Sequence, residues 1–214
     1  MNRRIFTLST GASALAAFGG GAWLYSRRKA SIPAVSGEDT MFVRPHSPII
    51  GNPDARVTIV EFFDPACEAC RAFHPFLKDV LSRHPEHVRL ALRYTPFHRG
   101  SDEAIRILEA ARRQNLFEVV LLALYARQPE WAAYGAPTRQ NAWRIAGTTR
   151  LNLERAELDA SSPAVDQALE IDRADIQALS IRQTPTFFVN QRPLPSFGQQ
   201  QLYNLVMSEL EAMH

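Results

Sequence analysis

Seven consecutive residues, Val57-Thr58-Ile59-Val60-Glu61-Phe62-Phe63, are β-branched or aromatic almost throughout, and they predict a buried strand. Asp64-Pro65-Ala66 ends it. Beyond that point the apolar period changes. Ala69, Ala72, Phe73, Phe76, Leu77, Val80 and Leu81 recur at helical spacing, so a helix is expected from about Cys67. Pro75 lies inside this pattern and is expected to kink the helix rather than end it. After Arg83-His84-Pro85-Glu86, the alternation in Val88-Arg89-Leu90-Ala91-Leu92-Arg93-Tyr94 predicts a second strand. Strand, helix, strand implies a right-handed parallel unit.

From about Ser101 to Ser180 the pattern is helical, with apolar faces such as Ile105, Leu108 and Ala111, then Phe117, Val120, Leu121 and Leu124. Ala142, Ile145 and Ala146, and later Val165, Leu169, Ile176 and Leu179, continue it. Residues 100–180 therefore read as an all-helical insertion. Strand character returns at Thr186-Phe187-Phe188-Val189, introduced by Thr184-Pro185. A turn is expected at Asn190-Gln191, and Pro193 and Pro195 confine the next short segment to an edge or a loop. Leu202, Leu205, Val206, Leu210 and Met213 mark one face of a final helix. The class is α/β, with the insertion between the second strand and the strand that follows Thr184-Pro185.

The amino terminus has another character. Arg3 and Arg4 precede residues 5–25, which carry no charge and are rich in Ala and Gly, and Arg27-Arg28-Lys29 follows. Residues 1–30 read as an export signal or membrane anchor, and Arg3-Arg4-Ile5-Phe6 resembles a twin-arginine export motif with Asn2 where Ser or Thr is usual. The alternative is a retained helix, since about 20 apolar residues cross a bilayer, although Gly19, Gly20 and Gly21 weaken it. The expected location is the periplasm, with residues 5–25 as a possible tether to the inner membrane. Residues 31–55, with Ser31, Pro33, Pro45, Pro48 and Pro53, read as a linker into a domain over 56–214.

Composition changes this picture little. Of 214 residues, 46% are hydrophobic and 21% charged, ordinary for a globular protein. The net charge of +2 comes with no basic stripe and interleaved aromatics, so no nucleic-acid partner is expected. The two cysteines matter more. Cys67-Glu68-Ala69-Cys70 would close almost no loop, and loop entropy is what a structural disulfide removes. Chemistry is the better reading. The pair sits where a strand gives way to a helix N-terminus, whose free amides favour a thiolate. Cys67 is the expected exposed nucleophile and Cys70, one turn deeper, the resolving thiol. No cofactor beyond this pair is called for. A different reading makes the chain a copper- or zinc-binding protein using the same thiols with His74. No second cysteine pair completes a tetrahedral site, His74 reads as a surface helix residue, and no metal ligand is assigned. Arg71 occupies the position where a c-type haem needs His. His84, His87 and His98 follow no ligand spacing and read as surface. Trp131, Tyr134 and Trp143 fit either the insertion's core or a groove.

Together these residues resemble the thioredoxin superfamily, and within it the DsbA-type branch of exported disulfide oxidoreductases, over residues 42–212. The resemblance rests on Glu61-Phe62-Phe63-Asp64-Pro65-Ala66 before the cysteines, on Pro75, on the helical insertion and on Thr184-Pro185. It implies a thioredoxin-like fold and a protein-disulfide oxidoreductase acting on client proteins. It also implies a membrane redox partner, either a quinone-linked oxidase or a reductase. By the same resemblance Thr184 and Pro185 form a cis-proline loop that binds substrate backbone, and Glu61 is a buried acid below the cysteines. One departure is visible. Strongly oxidising relatives carry Pro-His between the cysteines, where this chain has Glu68-Ala69. Glu68 is expected to raise the Cys67 pKa and Arg71 to lower it, giving a weaker oxidant. Oxidase, isomerase and reductase directions all stay open.

Overall fold

The computed structural model describes residues 40–134 and 138–212. The expected export signal, its twin-arginine motif, the tether at residues 5–25 and the first part of the linker lie outside these residues. No helix among the described residues is long and apolar enough to cross a membrane.

The sheet has five strands in the order β1-β3-β2-β4-β5. β2 (Val57–Phe63) is central, with all seven residues buried, which is why its sequence is a continuous apolar run rather than an alternation. It pairs in parallel with β3 (Val88–Tyr94) through α1 (Glu68–Arg83), and antiparallel with β4 (Thr186–Val189). Two-residue β5 (Arg192–Pro193) closes that side, ending at the proline that confines it to an edge. Asn190 and Gln191 connect β4 to β5 with φ of 46° and 69°, the left-handed pair a two-residue hairpin needs.

Alternate residues of β2 feed two cores. Val57, Ile59 and Phe63 join the larger one with Leu77 and Val80 of α1 and with Leu202 and Val206 of α8 (Gln199–Glu211). Val60 and Phe62 face the smaller one with Ile176 and Ile181. Each such fully buried aliphatic or aromatic side chain contributes about 1.5–3 kcal/mol. Between β3 and β4 the chain is helical: α2 (Ser101–Arg112), α3 (Phe117–Ala126), α4 (Gln128–Ala132), α5 (Thr138–Ala146), α6 (Leu153–Ala160) and α7 (Pro163–Ala178). Trp131 and Trp143 are buried in this block, whereas Tyr134 is fully exposed.

One boundary needs correcting. Residues 40–55 belong to the folded unit and not to a linker. β1 (Ile49–Gly51) pairs antiparallel with β3, so the strand read as second is third in the chain. Three residues between prolines carry too little pattern to announce a strand, and only Ile50 is buried. Gly51 leaves β1 at φ 99°, where an added Cβ would lie 3.2 Å from the Val88 carbonyl oxygen. The preceding stretch is anchored by charge. Arg44 donates to both oxygens of Asp175, at 2.9 and 2.8 Å, and His46 lies 2.7 Å from Asp172. Fully buried Arg93 donates to both acids and stacks over Phe62 at 5.4 Å. Burial works against the charge on Asp175, but the two arginines outweigh it and hold its pKa below the usual value. Arg44→Ala is expected to cost about 1.5–3 kcal/mol, the worth of charged hydrogen bonds, read as a lower denaturation midpoint at unchanged slope.

Candidate active site

The junction of β2 and α1 positions the two cysteines. Cys67 is the N-cap residue of α1, with extended backbone (φ −77°, ψ 123°), and its own carbonyl accepts the first helical bond from Arg71 N–H at 3.1 Å. Its side chain therefore sits over the open amides of the first turn, while Cys70 points into the core. Both thiols are free. Cys67 was expected to be exposed, yet it is only 5% accessible against 0% for Cys70. The cover is Thr184, whose carbonyl oxygen lies 3.3 Å from Cys67 Sγ, brought there by a cis Thr184-Pro185 peptide at the start of β4.

Sequence placed Cys67, Cys70, Glu61, Thr184 and Pro185 at one site, and the fold brings them together. Their electrostatics diverge sharply. The Cys67 thiol falls from an ordinary 9.0 to about 5. The hydrogen bond from the Cys70 thiol is the main cause, set partly against burial and reinforced by Thr184 and by the amides of Ala69 and Cys70. The Thr184 hydroxyl is buried without a fixed partner, so it is free to turn onto the sulfur. Cys70 moves the opposite way, because burial, donation to Cys67 and the nearby Glu61 all oppose its ionisation. Glu61 is 2% accessible and rises to about 8, first through burial and then through the charge on Cys67. At neutral pH the site thus holds a thiolate at 67, a thiol at 70 and a mostly protonated acid at 61. The expectation that Glu68 would raise the Cys67 pKa is overturned. Glu68 is exposed, so water screens its charge, while the bonds to the sulfur act at contact distance.

Several neighbours escaped the sequence reading. Asp64 is fully buried and accepts from Ala66 N–H, Phe97 N–H and His98 N–H, each at 2.8 Å, as well as from the Ser101 hydroxyl. His98 Nδ1 is also 2.8 Å from it, and Asp64 N–H faces Cys70 Sγ at 3.5 Å. Gln128, 2% accessible, donates from the helical insertion to the carbonyls of Pro65 and Cys67. Tyr125 is held protonated by burial and then by the negative field of Glu61 and the two cysteines. His74 is buried, not at the surface. Its ring meets Tyr125 at 5.5 Å, and burial keeps its pKa low. Among the described residues no group of three or more His, Cys, Asp or Glu side chains is placed to hold a metal ion.

A family model described as thioredoxin matches residues 44–206. The chain belongs to this family. Its structure superimposes on a thioredoxin-like oxidoreductase from Silicibacter pomeroyi with a TM-score of 0.70 and 32% identity, covering 82% of this chain and 99% of that one. DsbA1 of Wolbachia pipientis shares the fold at a TM-score of 0.66 and 16% identity, over 79% of this chain and 96% of that one. Disulfide bond formation protein D of Bacillus subtilis is 26% identical over 177 residues, which are 77% of this chain and 76% of that protein. In this thioredoxin-family chain the helical insertion follows β3. Other curated relatives are far longer. The Na(+)/H(+) antiporter NhaA of Herminiimonas arsenicoxydans is 33% identical over 146 residues, 68% of this chain but only 22% of the antiporter. The chain therefore spans less than a quarter of that relative's length.

Proposed function

We propose that this thioredoxin-family chain is a protein-disulfide oxidoreductase that donates the Cys67–Cys70 disulfide to client proteins outside the cytoplasm. The observation that carries the reading is the opposed ionisation of the two thiols, low at Cys67 and high at Cys70. A client thiolate attacks Cys67 Sγ, and the S–S bond breaks with its electron pair leaving on Cys70. Cys70 cannot stay ionised in its dry position, so Glu61, mostly protonated at neutral pH, supplies the proton. A second client thiolate then attacks the client sulfur of the mixed disulfide. Cys67 departs as a thiolate, a good leaving group because of its low pKa. The client dithiol is oxidised by two electrons, and Cys67–Cys70 takes them up. The Thr184 carbonyl borders the reacting sulfur, which supports a role for Thr184 and the following Pro185 in holding the client backbone beside it.

A thiolate stabilised only in the reduced form makes the disulfide more oxidising. At pH 7 the lowered Cys67 pKa is worth about 1–2 kcal/mol after allowance for solvent screening, or roughly 20–40 mV. That favours the oxidase direction over the weaker oxidant inferred from Glu68, and kinship with a disulfide bond formation protein supports it. In this reading residues 1–30 take the chain to the periplasm, where a membrane redox partner, a quinone-linked oxidase by this direction, restores the disulfide. The test is equilibration with glutathione buffers, followed by mixing the oxidised chain with a reduced, unfolded client. A potential between about −200 and −120 mV is expected, together with rapid client oxidation. A value near the roughly −270 mV of thioredoxin would defeat the oxidase direction.

A further inference from the structure

Gln128 begins α4, 61 positions after Cys67, yet its amide ends beside the cysteine loop. One nitrogen, Nε2, donates to two carbonyls at once, Pro65 O at 2.9 Å and Cys67 O at 3.1 Å. These are the carbonyls on either side of Ala66, where the chain turns from β2 into α1. The side chain is almost fully buried, and its Oε1 has no hydrogen-bond partner. A buried amide with an idle acceptor is a poor choice if stability alone is served. Its donor half, by contrast, is used twice on the segment that bears the reactive sulfur.

We infer that Gln128 is a positioning residue for Cys67: by gripping the Pro65 and Cys67 carbonyls it fixes the entry into α1, so that the Ala69 and Cys70 amides stay aimed at the sulfur. The geometry supplies the reason. A carbonyl oxygen carries negative partial charge, and rotation of the 65–67 segment would change both the angle of the first-turn amides and the distance of those oxygens from the sulfur. Asp64 restrains the same turn from its other end, through Ala66 N–H. Between them, Gln128 and Asp64 tie the cysteine loop to the helical insertion and to the loop after β3. Through Gln128 the helical insertion then sets the reactivity of Cys67.

This inference deepens the proposed oxidoreductase reading and rests on it, so its test reads the sulfur directly. The reduced full-length chain is titrated by thiolate absorbance and by alkylation rate for the unaltered protein, Gln128→Met and Trp131→Phe. Met keeps the length and bulk of Gln128 but donates nothing. Trp131 lies on the same helix and donates to Leu124 O at 2.9 Å, away from the cysteine loop, so its loss controls for a loosened α4. Gln128→Met is expected to raise the Cys67 midpoint by about one unit, cutting alkylation several-fold near pH 5, while Trp131→Phe leaves it unchanged. Gln128→Leu, which is uncharged and has no donor, is expected to behave like Met and serves if Met is not tolerated. Equal midpoints in all folded variants, or an equal shift in Trp131→Phe, overturns the inference. An ordinary thiol midpoint in the unaltered protein instead overturns the reading it rests on.

Discussion

Cys67→Ser is expected to abolish thiol–disulfide exchange, by at least about a thousandfold, whereas Cys70→Ser leaves a protein that reacts once and then stays joined to its client. The two residues lie one turn apart in sequence but differ in what surrounds them. The Cys70 thiol above all, with the first-turn amides, favours a thiolate at Cys67, which is ionised above about pH 5. Cys70 has no such cluster and is pressed toward its neutral form by burial. In the proposed cycle, replacing the first removes the sulfur that a client attacks. Replacing the second removes the internal attack that clears a mixed disulfide, while a serine hydroxyl still donates to Cys67. Gel analysis without reductant, after incubation with clients whose cysteines are paired as disulfides, should show trapped adducts with Cys70→Ser alone: the Cys67 thiolate joins one client sulfur and the other leaves as a thiolate. Adducts in equal amount from both variants would mean that the sulfurs do not have separate roles. The sign of the pH dependence follows from the same shift. Because the folded Cys67 pKa lies below its unfolded value, the thiolate stabilises the reduced protein at neutral pH. That contribution is lost as pH falls through about 5. The disulfide form has no thiol at this position and does not show the loss.

Glu61 contributes the opposite slope. Its folded pKa is raised to about 8, so the folded protein holds a proton that the unfolded chain releases above an ordinary 4.5. Stability therefore falls as pH rises from about 4.5 toward 8. A buried acid that weakens the fold at working pH is the kind of residue a fold keeps for chemistry. Its carboxyl oxygen Oε1 has no hydrogen-bond partner, which leaves it available to a proton in transit.

How much of this was legible depended on the distance over which each signal acts. β2, α1 and the cysteine pair were readable because one continuous stretch contains the apolar run, the period change and the reactive residues. The hairpin at Asn190-Gln191 was readable for the same reason. β1 was not, because three residues acquire strand character only by pairing with β3. The charges of Arg44, Arg93, Asp172 and Asp175 gave no warning of a shared buried network, since they lie up to 131 positions apart. The thiol pKa was misjudged for a related reason. Glu68 is adjacent in sequence but faces water, while the Cys70 thiol, one turn on, is brought back by the helix to donate to the sulfur. Gln128 had no sequence signal at all. Asp64 did have one, since an aspartate before proline at a strand end suggests a turn acceptor, but its partners at 97, 98 and 101 come from the fold.

Asp64 supplies the largest stability effect expected outside the hydrophobic cores. Its two oxygens accept from three backbone amides and a hydroxyl, and one also meets the His98 ring, all around a fully buried carboxylate. Asp64→Ala would strand those donors in a dry site. The expected cost is about 3–5 kcal/mol, the range for breaking a buried charged network from one side. For a domain of this size each kcal/mol moves the melting temperature by roughly 2–4 °C, so a fall of about 6–20 °C is expected by calorimetry. Asp64→Asn is the informative companion. It keeps the shape and one acceptor, but its NH2 group must face donors that already point inward, so about half of the loss is expected. If Asp64→Ala melted within a degree or two of the unaltered chain, water would have to replace the carboxylate at no cost. The loop after β3 would then not depend on Asp64 to stay docked against the cysteines.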